Sequence, residues 1–254
     1  MIPYIQIGPL SLGTFGLLMW VGFVAGYIVL QADLKRRNLA ADPNTMVALL
    51  ALAGLIGAKL WHVLESPREL MDAPATMLFS RTGFAWYGGF LAGTVMFLYF
   101  ARRYKIALPA LMDAAAPAAA LGYAVGRIGC LLSGDGDYGR PTNVPWAMSF
   151  PNGLVPTTER VHPTPIYEFL ACTLIFLFLW KLGGKAARPS GEVVARFFLL
   201  MGLERFLVEF IRINPPVIFG LSNAQLASLA AMVLGVVWLA RLRAEVFVPN
   251  ASRR

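Results

Sequence analysis

The chain has 254 residues, of which 57% are hydrophobic and only 14% charged. Soluble proteins average about 45–50% apolar and about 25% charged, so this chain has too little charge to cover a soluble globule. Its apolar mass excludes a disordered chain, and the unperiodic scatter of 24 Gly and 17 Pro excludes a collagen-like one, which leaves an integral membrane protein.

Twenty-two Lys and Arg against 14 Asp and Glu give a net charge of +8. In a membrane chain such an excess marks basic cytoplasmic loops and affinity for anionic lipid rather than for nucleic acid. Cys130 and Cys172 are too few for a disulfide framework or a four-ligand zinc site. His62 and His162 are too few for a histidine-based metal cluster. The first charged residue is Asp33, so the basic region of a cleavable signal is missing and the first apolar stretch is expected to stay as a span.

A helix needs about 20 apolar residues to cross the hydrocarbon core. Seven stretches meet or approach that length, at 10–30, 46–64, 84–100, 109–132, 165–180, 193–211 and 221–240. The third and fifth are short, so their ends must extend into polar flanks or the bilayer must thin. No internal repeat is visible, so a small-solute transporter is motivated only by the intramembrane charges.

One set of alternate loops holds Lys35, Arg36, Arg37, Arg102, Arg103, Lys105, Lys181, Lys185, Arg188, Arg241, Arg243, Arg253 and Arg254. The opposite loops hold only Arg68, Arg81, Arg140, Arg160 and Arg212. The bias predicts an all-α integral membrane protein with seven transmembrane helices, N-terminus outside and C-terminus cytoplasmic, in one membrane domain over 1–254. The longest outer segment, 133–164, holds five prolines and the Gly-rich run Gly134 to Gly139. A small extracytoplasmic head is expected there, inserted between spans four and five, with Trp146–Phe150 alternating as a short strand.

A charge at mid-membrane costs about 2.5–3.5 kcal/mol on insertion scales. Arg196 lies one turn inside the cytoplasmic end of its span, and snorkelling accounts for it. Lys59, His62 and Glu65 share a helix face near the outer end of the second span and read as a solvated interfacial cluster. Arg205 sits mid-span between Glu204 and Glu209. It reads either as an i, i+4 salt bridge to Glu209 or as a positive charge facing an anionic ligand. Arg127 lies near the outer end of the fourth span in Gly126-Arg127-Ile128-Gly129, where small residues admit a helix or ligand close to the backbone. The planar fork of arginine suits phosphate, so two buried arginines on an outward-facing site point to a phosphate-bearing lipid headgroup.

The run GRIGCLLSGDGDYGR at 126–140 resembles the signature of the bacterial prolipoprotein diacylglyceryl transferase family. The resemblance continues through Ile7-Gly8-Pro9, Gly54 to Leu64, Tyr87-Gly88-Gly89, Asp113 and His162-Pro163-Thr164-Pro165-Ile166-Tyr167-Glu168. It then takes in Gly202-Leu203-Glu204-Arg205, Val208-Glu209-Phe210-Ile211-Arg212, and Ser222 with Gln225. Each motif alone is weak; their order and spacing over seven spans make the set specific. The resemblance implies transfer of the diacylglyceryl group of phosphatidylglycerol to the lipobox cysteine thiol of a preprolipoprotein, with release of glycerol phosphate. The implied place is the outer face of the bacterial cytoplasmic (inner) membrane. Phosphatidylglycerol and lipobox signal peptides are the implied partners. A monomer is expected, without metal, organic cofactor or nucleic acid. The alternative is a non-catalytic or differently specific phospholipid-binding paralogue.

The catalytic residues implied are Arg127, Arg205, Tyr87, Asp135, Asp137 and His162. Those implied for the headgroup are Arg127, Gly126, Gly139, Arg205, Glu209 and Arg140. Arg127 and Arg205 would stabilise charge growing on the leaving phosphate. The attacking thiol, with a reference pKa of about 8.5, needs a base or a positive field. Here the chain departs from the family. Tyr87 stands where many members carry the histidine proposed as base, and an ordinary tyrosine, titrating at about 10, is a poor base at neutral pH. His162, an acidic residue of the loop or the arginine field would substitute. Cys130 replaces an asparagine and reads as a small core hydrophobe. Lys59 replaces an arginine, and Phe15 and Met201 replace tyrosines. An aspartate replaces the signature glutamate, in register with either Asp135 or Asp137.

Overall fold

A computed structural model of the chain describes residues 1–80, 83–184 and 188–247; Arg81, Lys185, Arg253 and Arg254 lie outside them. In chain order the elements are β1 (Tyr4–Ile7), β2 (Leu10–Gly13), α1 (Thr14–Arg36), α2 (Pro43–Glu65), α3 (Pro67–Asp72), α4 (Pro74–Phe79), α5 (Trp86–Arg103), α6 (Leu108–Ser133), β3 (Met148–Phe150), β4 (Thr157–Val161), α7 (Thr164–Gly183), α8 (Glu192–Glu209) and α9 (Asn223–Phe247).

Each of the seven apolar stretches coincides with a long helix. Five of them, α1, α2, α6, α7 and α9, are long and apolar enough to cross a membrane. Helices α5 and α8 have 18 residues each, about 27 Å at the helical rise. Helix α5 ends on Arg102 and Arg103, and α8 carries Glu192, Arg196, Glu204, Arg205 and Glu209. Burial is inverted relative to a soluble protein. Trp20, Leu55, Leu174 and Val233 are exposed, whereas Asp113, Thr164 and Glu168 are buried. Apolar outside and polar inside is the pattern that a lipid solvent demands.

The chain divides into two compact units, Met1–Asp33 with Met112–Arg254, and Leu34–Leu111. In the first, residues 10–13 pair as β2 instead of opening the first span. A two-residue turn at Gly8-Pro9 brings Leu10 opposite Ile7. Helices α1 and α6 approach closely: a methyl on Gly22 would lie 3.1 Å from the Gly122 carbonyl oxygen. Ala116, Ala120, Leu179, Leu182, Val193 and Val194 form an apolar core among α6, α7 and α8.

Helix α8 starts on Gly191, whose φ of +97° suits only glycine and which has no side chain to cap the helix. Asp113 of α6 supplies the cap. Its two carboxylate oxygens accept from the Gly191 and Val194 N–H groups, each at 2.8 Å. Glu192 then pairs with Arg188 and Arg196, so Arg196 has an acidic partner one turn away.

Between α6 and α7 the chain forms a small two-stranded ladder. Met148 pairs with Val161 and Phe150 with Thr157 in the β3–β4 ladder, so the strand expected at 146–150 occupies its last three residues. Tyr138 stacks on Phe150 at 5.1 Å over Val161.

In the second unit, Asp42 caps α2 through the Asn44 and Thr45 N–H groups, with Pro43 in the first turn. Helices α2 and α5 pack on glycine: a methyl on Gly88 would lie 2.1 Å from the Gly57 carbonyl oxygen. Lys59 donates to Ser80 Oγ at 2.8 Å and stands 4.9 Å from the Phe84 ring centroid. Trp61 donates to Glu65 at 2.8 Å.

Candidate functional site

The first unit gathers a cluster of buried charges around Glu168. This carboxylate lies in the first turns of α7 and is fully buried. Its Oε1 accepts from Tyr123 Oη at 3.1 Å and Arg205 Nη1 at 3.2 Å. Its Oε2 lies 3.3 Å from Arg212 Nη1 and 3.5 Å from Arg127 Nη1. Three guanidiniums from α6, α8 and the segment after α8 thus converge on one carboxylate.

Two more acids complete the array. Asp137, in the Gly-rich run, pairs with Arg127 through one oxygen and with Arg212 through the other. Glu209 pairs with Arg205 at 2.9 Å and accepts from Ser222 Oγ and Asn214 Nδ2, each at 2.7 Å. Arginines and acids therefore balance three against three, which is what makes such a charge density tolerable away from water. Arg127 also lies over the Tyr123 ring, 4.6 Å from its centroid. Among the described residues its polar contacts run through Nη1.

Exposure separates the arginines. The side chains of Arg127 and Arg205 keep 19% and 24% of their surface open, and Arg212 keeps 7%. Arg212 is the most enclosed of the three, and Arg127 and Arg205 stay partly open. The i, i+4 expectation for Arg205 holds, since it pairs with Glu209, and the same guanidinium also reaches Glu168.

The Gly-rich run is seated by backbone bonds. Gly139 N donates to the His162 carbonyl at 2.8 Å, Arg140 N to that of Ile211 at 2.8 Å, and His162 N to that of Arg140 at 3.1 Å. A methyl on Gly139 would lie 2.5 Å from the Ile211 carbonyl oxygen, 2.9 Å from Thr164 Cγ2 and 3.0 Å from His162 Cβ. Thr164 Oγ1 donates to the Asp137 carbonyl. Arg140 is exposed and its Nε donates to the Arg212 carbonyl at 3.2 Å.

The two aspartates of the run have opposite electrostatics. Burial works against the charge of Asp137, but Arg212 and Arg127 outweigh it and hold the carboxyl below its ordinary value. Burial, aided by the charge of Asp137, pushes Asp135 up. Asp135 Oδ1 accepts from the Asp137 N–H at 3.2 Å. Cys130, Asp135 and Asp137 bring one potential ligand atom each within 4.8 Å of one another. The oxygens of Asp137 already hold two guanidiniums, and a metal cation added there would face both at like charge.

Among the expected residues, Arg127, Arg205, Asp137 and Glu209 belong to the array, and Gly139, Arg140 and His162 form its backbone seat. Asp135 adjoins it. Gly126 lies beside Arg127 on α6, where a methyl would stand 3.7 Å from Met19 Sδ. Tyr87 lies in the second unit at the start of α5, exposed and edge-on to Trp86. Glu168 and Arg212 lay within motifs of the family resemblance but were not among the expected site residues, and Tyr123 was not named at all. Glu168 carried a usable signal, an acid inside an apolar stretch. Arg212 falls one residue beyond the 193–211 stretch and so reads as a loop charge, yet it is buried. Tyr123 carried no signal.

A family model described as prolipoprotein diacylglyceryl transferase matches residues 3–241. A Geobacter sulfurreducens protein is 35% identical over 245 residues, covering 92% of both chains. A Leptospira interrogans protein is 31% identical over 246 residues, covering 84% of this chain and 77% of its own. A Pseudomonas putida protein is 31% identical over 258 residues, covering 93% and 94%. All three are named phosphatidylglycerol–prolipoprotein diacylglyceryl transferase.

Proposed function

The chain belongs to the prolipoprotein diacylglyceryl transferase family, and we propose that its arginine array is where the reaction of that family takes place. The protein is a membrane-embedded transferase of lipoprotein biosynthesis that moves the diacylglyceryl group of phosphatidylglycerol to prolipoprotein. Its acceptor is the thiol of a lipobox cysteine. The thiolate sulfur bonds to the terminal glyceryl carbon of the diacylglyceryl group as the bond from that carbon to the phosphate oxygen breaks. The electron pair stays on the phosphate, which leaves as glycerol phosphate with one more negative charge than it had as a diester.

The observation that carries this reading is the convergence of Arg127, Arg205 and Arg212 on Glu168, with only the first two left partly open. Glu168, Asp137 and Glu209 hold the guanidiniums in place before the lipid arrives. Arg127 and Arg205 then meet the growing phosphate charge without reorganising, in surroundings where water competes little. The same field favours the thiolate. The seven long helices span the cytoplasmic membrane with the N-terminus and the head outside, and the protein works there as a monomer.

The test supplies purified protein with phosphatidylglycerol and a lipobox peptide and looks by mass for thioether-linked diacylglycerol. Product that disappears with Arg127→Ala and with Arg205→Ala is the expected result. Lipid binding without product, beside an active control enzyme, would instead identify a phospholipid-binding paralogue. Full rate in either variant removes that arginine from the reading.

A further inference from the structure

Three side chains at the head form a hydrogen-bonded series that ends on a histidine. Trp146 Nε1 lies 2.6 Å from Tyr167 Oη, and Tyr167 Oη lies 3.2 Å from His162 Nδ1. An indole N–H only donates, so Tyr167 Oη accepts from Trp146. The phenolic hydrogen is then free to donate to its other neighbour, His162 Nδ1. A neutral imidazole carries one proton; if Nδ1 accepts, that proton is on Nε2. The histidine is also held by its backbone, bonded to Gly139 and Arg140 of the Gly-rich segment beside it. Its ring meets the Tyr167 ring edge-on, with centroids 6.0 Å apart. Gly139 is two residues from Asp137, so the backbone of His162 is seated beside the run that carries one acid of the arginine array.

We infer that Tyr167 and Trp146 are positioning residues that fix His162 as the Nε2–H tautomer. His162 then offers the lipid headgroup a hydrogen-bond donor and is not the base that takes the thiol proton. This inference rests on the transferase reading above. A donor suits the site, because the acceptor is a headgroup oxygen whose charge grows as the phosphate leaves. It also separates His162 from the role vacated at Tyr87: a ring whose Nδ1 lone pair is engaged by Tyr167 has no free lone pair in the neutral state.

The tautomer is directly readable. His62 and His162 are the only histidines in the chain, so nitrogen-15 imidazole spectra of the full protein in micelles contain two side chains, and His62→Gln assigns them. At about pH 8, above the ordinary imidazole range, His162 is expected to show an unprotonated Nδ1 and a protonated Nε2. Tyr167→Phe is expected to release it to a tautomer mixture, and Trp146→Phe, at an exposed position, to do so in part. A protonated Nδ1 in the wild type, or a spectrum unmoved by Tyr167→Phe, overturns the inference.

Turnover supplies a second readout. Glutamine places its N–H₂ near the position of Nε2, and asparagine near that of Nδ1. With phosphatidylglycerol and lipobox peptide, His162→Gln should exceed His162→Asn in kcat/KM by about 10-fold or more, the scale of one charge-assisted hydrogen bond. Equal or reversed activities overturn the donor role. The spectra need no turnover, so a wild type that shows the Nε2–H signal but makes no product faults the transferase reading and not the tautomer.

Discussion

Arg212 holds Asp137 with two nitrogens at once: Nη2 pairs with the carboxylate, and Nη1 donates to the carbonyl oxygen of the same residue at 3.2 Å. The segment after α8 is thereby tied to the Gly-rich run of the head. The bond is structural in character, since the Arg212 side chain keeps only 7% of its surface. Arg127 contacts the same aspartate from α6 but keeps 19% of its surface.

This difference predicts different losses from the two arginines. Arg212→Gln removes the more enclosed guanidinium and leaves Asp137 and Glu168 to the more open Arg127, so it should cost about 2–4 kcal/mol of stability, near the range for breaking a buried ion pair. Arg127→Gln leaves both acids still bonded to Arg212 and should lower thermal stability much less while abolishing turnover. Melting curves in micelles beside the transfer assay check this. Equal melting shifts in the two variants would show that the framework role is shared.

A pH dependence follows from the two aspartates. The carboxyl of Asp137 titrates below its unfolded value of 3.8. Its contribution to stability is therefore full above that value and fades as pH falls through the folded one. Asp135 is raised above 3.8, so its contribution is present below that value and lost as pH rises through its folded one. Asp137→Asn should lower Tm at neutral pH, with the deficit shrinking below pH 3.8. Asp135→Asn should raise Tm at neutral pH. A deficit in Asp137→Asn that grows on acidification contradicts the assignment of Arg212 and Arg127 as its partners.

The helical plan was legible in the sequence because lipid demands one long apolar run per crossing, a signal that survives without tertiary knowledge. Residues 10–13 escaped it, since β2 is as apolar as the helix that follows and only its pairing with β1 distinguishes it. Arg127 and Arg205 stood out because a charge in an apolar run is costly wherever the run folds. Their neutralisation was not legible. Tyr123 and Glu168 are 45 positions apart, and Asp137 and Arg212 are 75 apart. No local periodicity encodes such meetings. The cap on α8 was hidden for the same reason, because its acceptor is Asp113, 78 positions before the first donor.

That cap gives the next prediction. Asp113 satisfies two N–H groups at the start of α8 while buried to 2% exposure. It also places a negative charge at the positive end of the helix dipole. Asp113→Ala leaves both donors without partners and should cost about 2–4 kcal/mol, two buried hydrogen bonds to a charged acceptor. Asp113→Asn keeps one acceptor oxygen and should lose about half as much. Activity should fall with stability, because α8 carries Arg205 and Glu209. A melting temperature unmoved by Asp113→Ala would mean that α8 begins without this cap.

Two glycines of the signature should answer differently to the same change. A methyl on Gly139 meets the Ile211 carbonyl oxygen at 2.5 Å, below any real contact, with Thr164 and His162 on either side. The oxygen belongs to the backbone bonded to Arg140 N, so it cannot retreat without opening the seat of the Gly-rich run. Gly139→Ala should therefore displace Asp137 from Arg212, lowering kcat/KM by about 100-fold or more, as misplacement by an ångström does. A methyl on Gly126 meets only Met19 Sδ, at an ordinary 3.7 Å. Alanine also favours the helix by about 1 kcal/mol over glycine. Gly126→Ala should fold at least as stably as the wild type, so any activity it loses reports on lipid approaching the backbone at that turn. Transfer rates and melting temperatures of the pair decide the matter, and a Gly139→Ala variant with wild-type turnover would show that the run has room the structure does not give it.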